Sequence, residues 1–255
     1  MNDLLVGGCA VGGAVIGMFV DVVAARVPPA PTAKDPEGPL AAIGEAPESK
    51  EDEDLVEEPK PPRSLVPSSV EVSVSGVVLA VLFGLAANRF GATPALAPYC
   101  VLFAGGLGLS VVDLRVGLVP RKILYPTLGL MVLGLVIASV LNSHWRDLAN
   151  AGIGGGVAFL LFFALWWFYP SGMGFGDVRL AGLIGIGMGW IGLLDVYIGF
   201  MVAFIVGSLV GLAIMIVKRT GRKTRLPFAP ALVVGTVVSV LWGTQLINAW
   251  FVKGG

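Results

Sequence analysis

Apolar residues run through this chain in long stretches, separated by short segments that carry the glycines, prolines and isolated charges. A helix crossing a hydrocarbon core needs roughly 20 mostly apolar residues, and fewer where neighbours shorten it. Eight stretches meet that description: 4–25, 70–88, 94–112, 122–141, 148–169, 178–193, 196–217 and 229–251. The division between the sixth and seventh is the faintest, marked only by Asp195 and turn-like neighbours. The first stretch is preceded by Asp3 rather than by Lys or Arg, and its apolar run exceeds that of a signal peptide, so a retained helix is expected.

The one long intervening segment, 27–69, has a different character. It combines ten prolines with ten of the chain's seventeen acidic residues and has no aromatic side chain. Such a segment buries too little to offset its own ordering entropy, and a disordered loop is expected. The chain therefore divides into a first transmembrane helix (1–26), a disordered acidic, proline-rich cytoplasmic loop (27–69) and a seven-helix transmembrane core (70–255).

Composition agrees with this pattern. Of 255 residues, 56% are hydrophobic and 13% charged, with a mean hydropathy of +0.86. Soluble domains average about 25% charged, so this is an integral membrane protein, an all-α bundle of about eight transmembrane helices. Lys and Arg number fourteen in the loops after odd-numbered stretches and three on the other side. That bias places both termini outside and the odd loops in the cytoplasm.

Charge and composition also exclude chemistries. The net charge is zero and no basic face exists, so nucleic acid is not an expected partner; the lipid bilayer is. Cys9 and Cys100 are too few and too far apart for a disulfide framework or paired zinc knuckles, and His144 is the single histidine. No metal site is expected.

Ionisable residues at apolar stretches are costly, so each is a candidate for function. Asp113 follows the run Tyr99–Val112, and Asp177 follows Ser171-Gly172-Met173-Gly174-Phe175-Gly176. The topology sets both on one face at similar depth. Two carboxylates brought together share a proton, because like charges a few ångströms apart cannot both ionise. One then serves as general base on a water while the other donates to a carbonyl oxygen, which is aspartic peptidase chemistry. Alternatively each is a helix cap or a topogenic charge; Asp177 could cap a sixth helix whose first turn begins near Val178. Alternating Gly172, Gly174 and Gly176 leave the backbone before Asp177 bare and open to positive φ, so that a substrate strand could approach.

Gly172-Met173-Gly174-Phe175-Gly176-Asp177-Val178-Arg179-Leu180-Ala181 resembles the GxGD signature of the type IV prepilin peptidases. Asp113-Leu114-Arg115-Val116-Gly117-Leu118-Val119-Pro120, continued by Ile123, Leu124 and Pro126, resembles the family's first aspartate with its hydrophobic-Pro pair. Leu226-Pro227-Phe228-Ala229-Pro230 is similar to the segment before the family's last helix. The resemblance spans stretches three to eight. It implies a membrane aspartic endopeptidase that cuts the basic leader from type IV prepilins or pseudopilins at the cytoplasmic face of the bacterial inner membrane. It further implies Asp113 and Asp177 as the catalytic pair, with Gly174, Gly176 and Pro120 as motif support.

Many family members also methylate the new N-terminus from S-adenosylmethionine, using a Gly-Ser-Phe-Leu-Asn motif, an Arg-Leu-Pro segment and paired CxxC motifs. Here Ile16-Gly17-Met18-Phe19-Val20-Asp21 and Arg26-Val27-Pro28 stand in those places, and no cysteine lies between Cys9 and Cys100. S-adenosylmethionine is therefore not an expected cofactor. Asp21 is read as an interfacial carboxylate near Arg26, Asp147 and Asp195 as ordinary external loop charges, and His144 as without a role. Glycines of the fifth stretch (Gly152, Gly154, Gly155, Gly156) and sixth (Gly182, Gly185, Gly187, Gly189) are expected to permit close helix approach. Trp166, Trp167 and Tyr169 are expected at the membrane interface. The competing functions are an intramembrane GxGD protease of the presenilin or signal-peptide-peptidase kind, for which Pro230-Ala231-Leu232 speaks, and a non-catalytic transporter or assembly component, for which internal repeats would speak.

Overall fold

The computed structural model describes residues 2–25, 69–168, 174–218 and 228–249. They form eight helices: α1 (Asn2–Ala25), α2 (Ser69–Phe90), α3 (Leu96–Val116), α4 (Arg121–Asn142), α5 (Trp145–Phe168), α6 (Phe175–Ile191), α7 (Leu193–Lys218) and α8 (Ala229–Ile247). Among the described residues there is no strand, so the all-α expectation holds. By length and composition six helices can cross a bilayer; the apolar part of α2, Val74–Phe90, is shorter, and so is the 17-residue α6. At 1.5 Å per residue α6 is about 26 Å long. The expected loop 27–69 lies outside the described residues except at Ser69, which already opens α2.

The bundle is assembled from antiparallel pairs, of which α1–α2, α5–α6 and α7–α8 are the most intimate. Their seams are glycine. A Cβ at Gly13 would lie 2.6 Å from the Leu79 carbonyl oxygen, and one at Gly17 2.6 Å from that of Ser75. Across the α5–α6 pair, Gly154 faces the Gly185 carbonyl at 2.7 Å and Gly189 faces that of Asn150 at 2.6 Å by the same measure. Without side chains between them, backbones gain dispersion contacts that lipid does not offer. Gly152 and Gly156 depart from the expectation: nothing lies within 4 Å of either, since they point away from α6.

α3 and α6 form the centre. Eleven of the seventeen residues of α6 are buried, and Tyr99 on α3 donates its hydroxyl to the Gly187 carbonyl at 2.7 Å. One helical turn on, Leu102 packs where a Cβ of Gly187 would stand. The outside of the bundle is apolar, with Leu141, Leu160, Leu209 and Ile216 exposed, while Ser139, Thr236 and Ser239 are buried. Trp190 Nε1 donates to Ser139 Oγ at 2.9 Å, and Ser239 Oγ to the Asp195 carbonyl at 2.6 Å. These buried hydroxyls are therefore paired, as a hydrocarbon surround requires.

The boundary between the sixth and seventh stretches is a single residue, Gly192, in extended conformation between α6 and α7. Asp195 is consequently not a loop charge. It lies in the first turn of α7, 4% exposed, between Gly192 and Gly243, and among the described residues its Oδ1 has no hydrogen-bond partner. Asp147 likewise belongs to a helix, the first turn of α5, where it stands 3.2 Å from His144 Nδ1.

Candidate active site

Asp113 is in the last turn of α3 rather than beyond it, because the helix continues to Val116. Its own carbonyl accepts the Gly117 amide at 2.8 Å, and Gly117 ends the helix at φ +67°, ψ 29°. That left-handed conformation is open to glycine without steric cost. The turned chain then runs through Leu118 and Val119 to Pro120, which is the N-cap of α4 and whose carbonyl accepts the Leu124 amide at 3.1 Å. Pro120 therefore fixes how the segment after Asp113 enters α4.

Asp177 sits inside α6. The helix begins three residues earlier than Val178, at Phe175, with Gly174 as N-cap. Asp177 Oδ2 accepts the Gly174 amide at 3.2 Å while the Asp177 amide donates to the Gly174 carbonyl at 3.0 Å. This is the carboxylate half of a capping box; glycine has no side chain to supply the other half. The start of α6 is held by a stack: Trp166 meets Phe175 edge-on at 5.1 Å, and the Arg179 guanidinium lies 4.5 Å over the Phe175 ring. Trp166 thus packs against the site helix, while Trp167 is exposed as an interfacial residue would be.

The two glycines differ. Gly174 has φ −77°, ψ 145°, a conformation open to any residue, so the expected positive φ is not used there. Gly176 is required by proximity: a Cβ on it would stand 2.7 Å from Val119 Cβ. That contact joins the loop after Asp113 to the residue before Asp177. The helix register agrees. From Leu102 to Asp113 along α3, and from its neighbour Gly187 back to Gly176 along α6, the interval is eleven residues, about 16 Å on each helix. Asp113 and the start of α6 are therefore level, at one end of the bundle.

Both carboxyls are buried, Asp113 at 5% and Asp177 at 7% exposure. Each faces the start of a helix: Asp177 that of α6, and Asp113 that of α8, where the Ala229 amide donates to Asp113 Oδ2 at 3.0 Å. The unsatisfied amides and dipole of a helix start favour negative charge. The Ala229 contact is the part that sequence reasoning missed. A signal existed in Pro230, at the first positions of α8, which marks a helix start whose leading amide lacks an intrahelical acceptor.

Residues 16–21 lie within α1. Apart from Asp21, whose side chain is outside the described residues, they are Ile16, Gly17, Met18, Phe19 and Val20, with the Met18 side chain against Gly76 of α2. Ser171, Gly172, Met173, Tyr169, Leu226, Pro227 and Arg26-Val27-Pro28 lie outside the described residues.

Fold and site define a class: a polytopic helical membrane protein with two buried carboxylates set at helix starts on one end of the bundle. Residues 100–216 match the type IV leader peptidase family. Three relatives are named prepilin leader peptidase/N-methyltransferase. The Bacillus subtilis protein is 30% identical over 172 residues, 68% of this chain and 66% of that protein. The Pseudomonas putida protein is 30% identical over 183 residues, 70% of this chain and 61% of that protein. The Pseudomonas aeruginosa protein is 26% identical over 181 residues, 69% and 60%. The chain thus spans less than two thirds of the length of these curated relatives. No solved structure matches it. The chain belongs to the type IV leader peptidase family, whose matched region holds both Asp113 and Asp177.

Proposed function

We propose that the chain is an aspartic endopeptidase that removes the basic leader from type IV prepilins or pseudopilins. The observation that carries this reading is the placing of Asp113 and Asp177, each at a helix start, at the same end of the antiparallel α3–α6 pair. One ionised carboxylate takes a proton from water as the water oxygen attacks the scissile carbonyl. The other, protonated, donates to the carbonyl oxygen. Collapse of the tetrahedral adduct breaks the C–N bond and expels the mature amine, which takes the proton held by the first carboxyl, while a hydroxyl of the adduct returns its proton to the second as the carbonyl re-forms. No metal and no histidine enters the cycle.

The substrate's apolar helix lies against the bundle in lipid and presents its leader junction to the pair. The junction opens first, because a helical amide is shielded by its own hydrogen bond. The fourteen-to-three distribution of Lys and Arg supports a site facing the cytoplasm of the bacterial inner membrane, with both termini outside. Cleavage proceeds without methylation, a reading supported by Met18, Asp21 and the missing cysteine pairs.

Co-expression with a prepilin, followed by mass spectrometry of the product N-terminus, tests all of this together. A mature species lacking the leader and carrying no added methyl mass is expected. Intact precursor across a panel of pilins and pseudopilins would reject the peptidase, and a methylated product would reject the single activity.

A further inference from the structure

Among the described residues the Ala229 amide is the one hydrogen-bond donor to the Asp113 carboxylate, so the first turn of α8 sets where that carboxylate points. The turn in turn depends on Phe228. Phe228 is the N-cap of α8, and its carbonyl opens the helix by accepting the Leu232 amide at 3.1 Å. Its ring leaves the site and enters the space between α5 and α7. There its centroid is 5.8 Å from that of Phe204 and 6.3 Å from that of Phe162. The ring edge rests on the backbone of α7 at Gly207, where a Cβ would be 2.6 Å from Phe228 Cε2. Gly207 is mid-helix, where glycine costs about 1 kcal/mol relative to alanine in water, so the ring gives it a reason to be there.

We infer that Phe228 is a positioning residue: its ring, seated on Gly207 between Phe162 and Phe204, sets the height and rotation of the first turn of α8 and so aims the amide that holds Asp113. The inference rests on the peptidase reading above. It extends that reading to a residue that touches neither substrate nor carboxylate. Misplacing a catalytic group by about an ångström costs on the order of a hundredfold in rate, so a slack plug registers in turnover. A side chain that only fills space would register in stability alone.

The test compares wild type, Asp113→Asn, Phe228→Leu, Gly207→Ala and the Phe228→Leu/Gly207→Ala double variant, purified in detergent and assayed on one precursor. Phe228→Leu is expected to lower kcat about tenfold or more with KM within about twofold, because the ring packs against Phe162, Phe204 and Gly207 and not at the carboxylates. Gly207→Ala leaves the ring intact but pushes it, and lowers kcat similarly. Leucine ends short of the Cε2 position, so the alanine methyl fits beside it. The double variant is then no slower than Phe228→Leu alone, which is a non-additive cycle. Melting temperatures are recorded throughout, and Gly207→Ala carries the test if Phe228→Leu does not fold. Unchanged kcat with a lowered melting temperature would overturn the inference, as would a double variant equal to the product of the singles. Cleavage by Asp113→Asn would instead overturn the peptidase reading, so the two failures are separable.

Discussion

Gly176 of α6 and Val119, next to Pro120 at the start of α4, meet with no room for a side chain between them: a Cβ on the glycine would stand 2.7 Å from Val119 Cβ. The contact ties the chain that leaves Asp113 to the turn that carries Asp177. Gly176→Ala should therefore force the two segments apart, costing about 1–3 kcal/mol as overpacking does. Gly174→Ala places its Cβ 3.6 Å from Asp177 Oδ2, an ordinary contact. Melting curves and cleavage rates of both variants separate the two motif glycines. Gly176→Ala is expected to lose stability and activity together, whereas Gly174→Ala keeps its melting temperature.

Tyr99 fixes the register of α3 on α6 through its hydroxyl on the Gly187 carbonyl, far from the carboxylates. In Tyr99→Phe that buried carbonyl loses its extra donor, a loss of about 0.5–1.5 kcal/mol. The expected outcome is a lower melting temperature with cleavage preserved at low temperature. Loss of cleavage in a protein that melts normally would contradict it.

The α5–α6 seam makes a paired prediction. Gly154→Ala and Gly189→Ala drive a methyl group into the opposing backbone and should destabilise the protein by about 1–3 kcal/mol each. Gly152→Ala and Gly156→Ala, two turns of the same helix with nothing within 4 Å, should match wild type or gain slightly from helix propensity. Thermal unfolding in one detergent compares all four.

The acidic run between Asp35 and Glu58 carries ten carboxylates, a counter-charge to the basic leaders of the proposed substrates. Deleting 35–58 should raise KM for the precursor at low ionic strength and have less effect at high salt, because screening weakens the attraction in the full chain too. An equal KM for both proteins at every salt concentration would remove the run from substrate capture.

What the sequence made legible follows from hydrophobic length and from the motifs. Eight apolar stretches became eight helices because a span in lipid has few alternatives to an α-helix. Asp113 and Asp177 stood out because carboxylates are rare in such stretches. Asp195 was misread for the same reason it looked plain: one acid between two apolar runs suggests a loop. Only coordinates show that Gly192 and Gly243 leave room to bury it. The Asp113–Ala229 bond was hidden because a backbone amide has no residue signature, and α8 follows α3 by more than a hundred residues. The glycines before Asp177 suggested backbone freedom, whereas at Gly176 the requirement is space.

If Asp113 and Asp177 act as one catalytic pair, replacing either carboxylate by asparagine abolishes cleavage. Asp113→Asn, Asp177→Asn and Asp195→Asn would be purified and their melting recorded. Each would then be scored for precursor-to-mature conversion by mass spectrometry. Folded proteins are expected in all three cases, with no mature product from Asp113→Asn or Asp177→Asn and cleavage retained by Asp195→Asn at the opposite end of α6. Mature product from either Asp113→Asn or Asp177→Asn would contradict the pair.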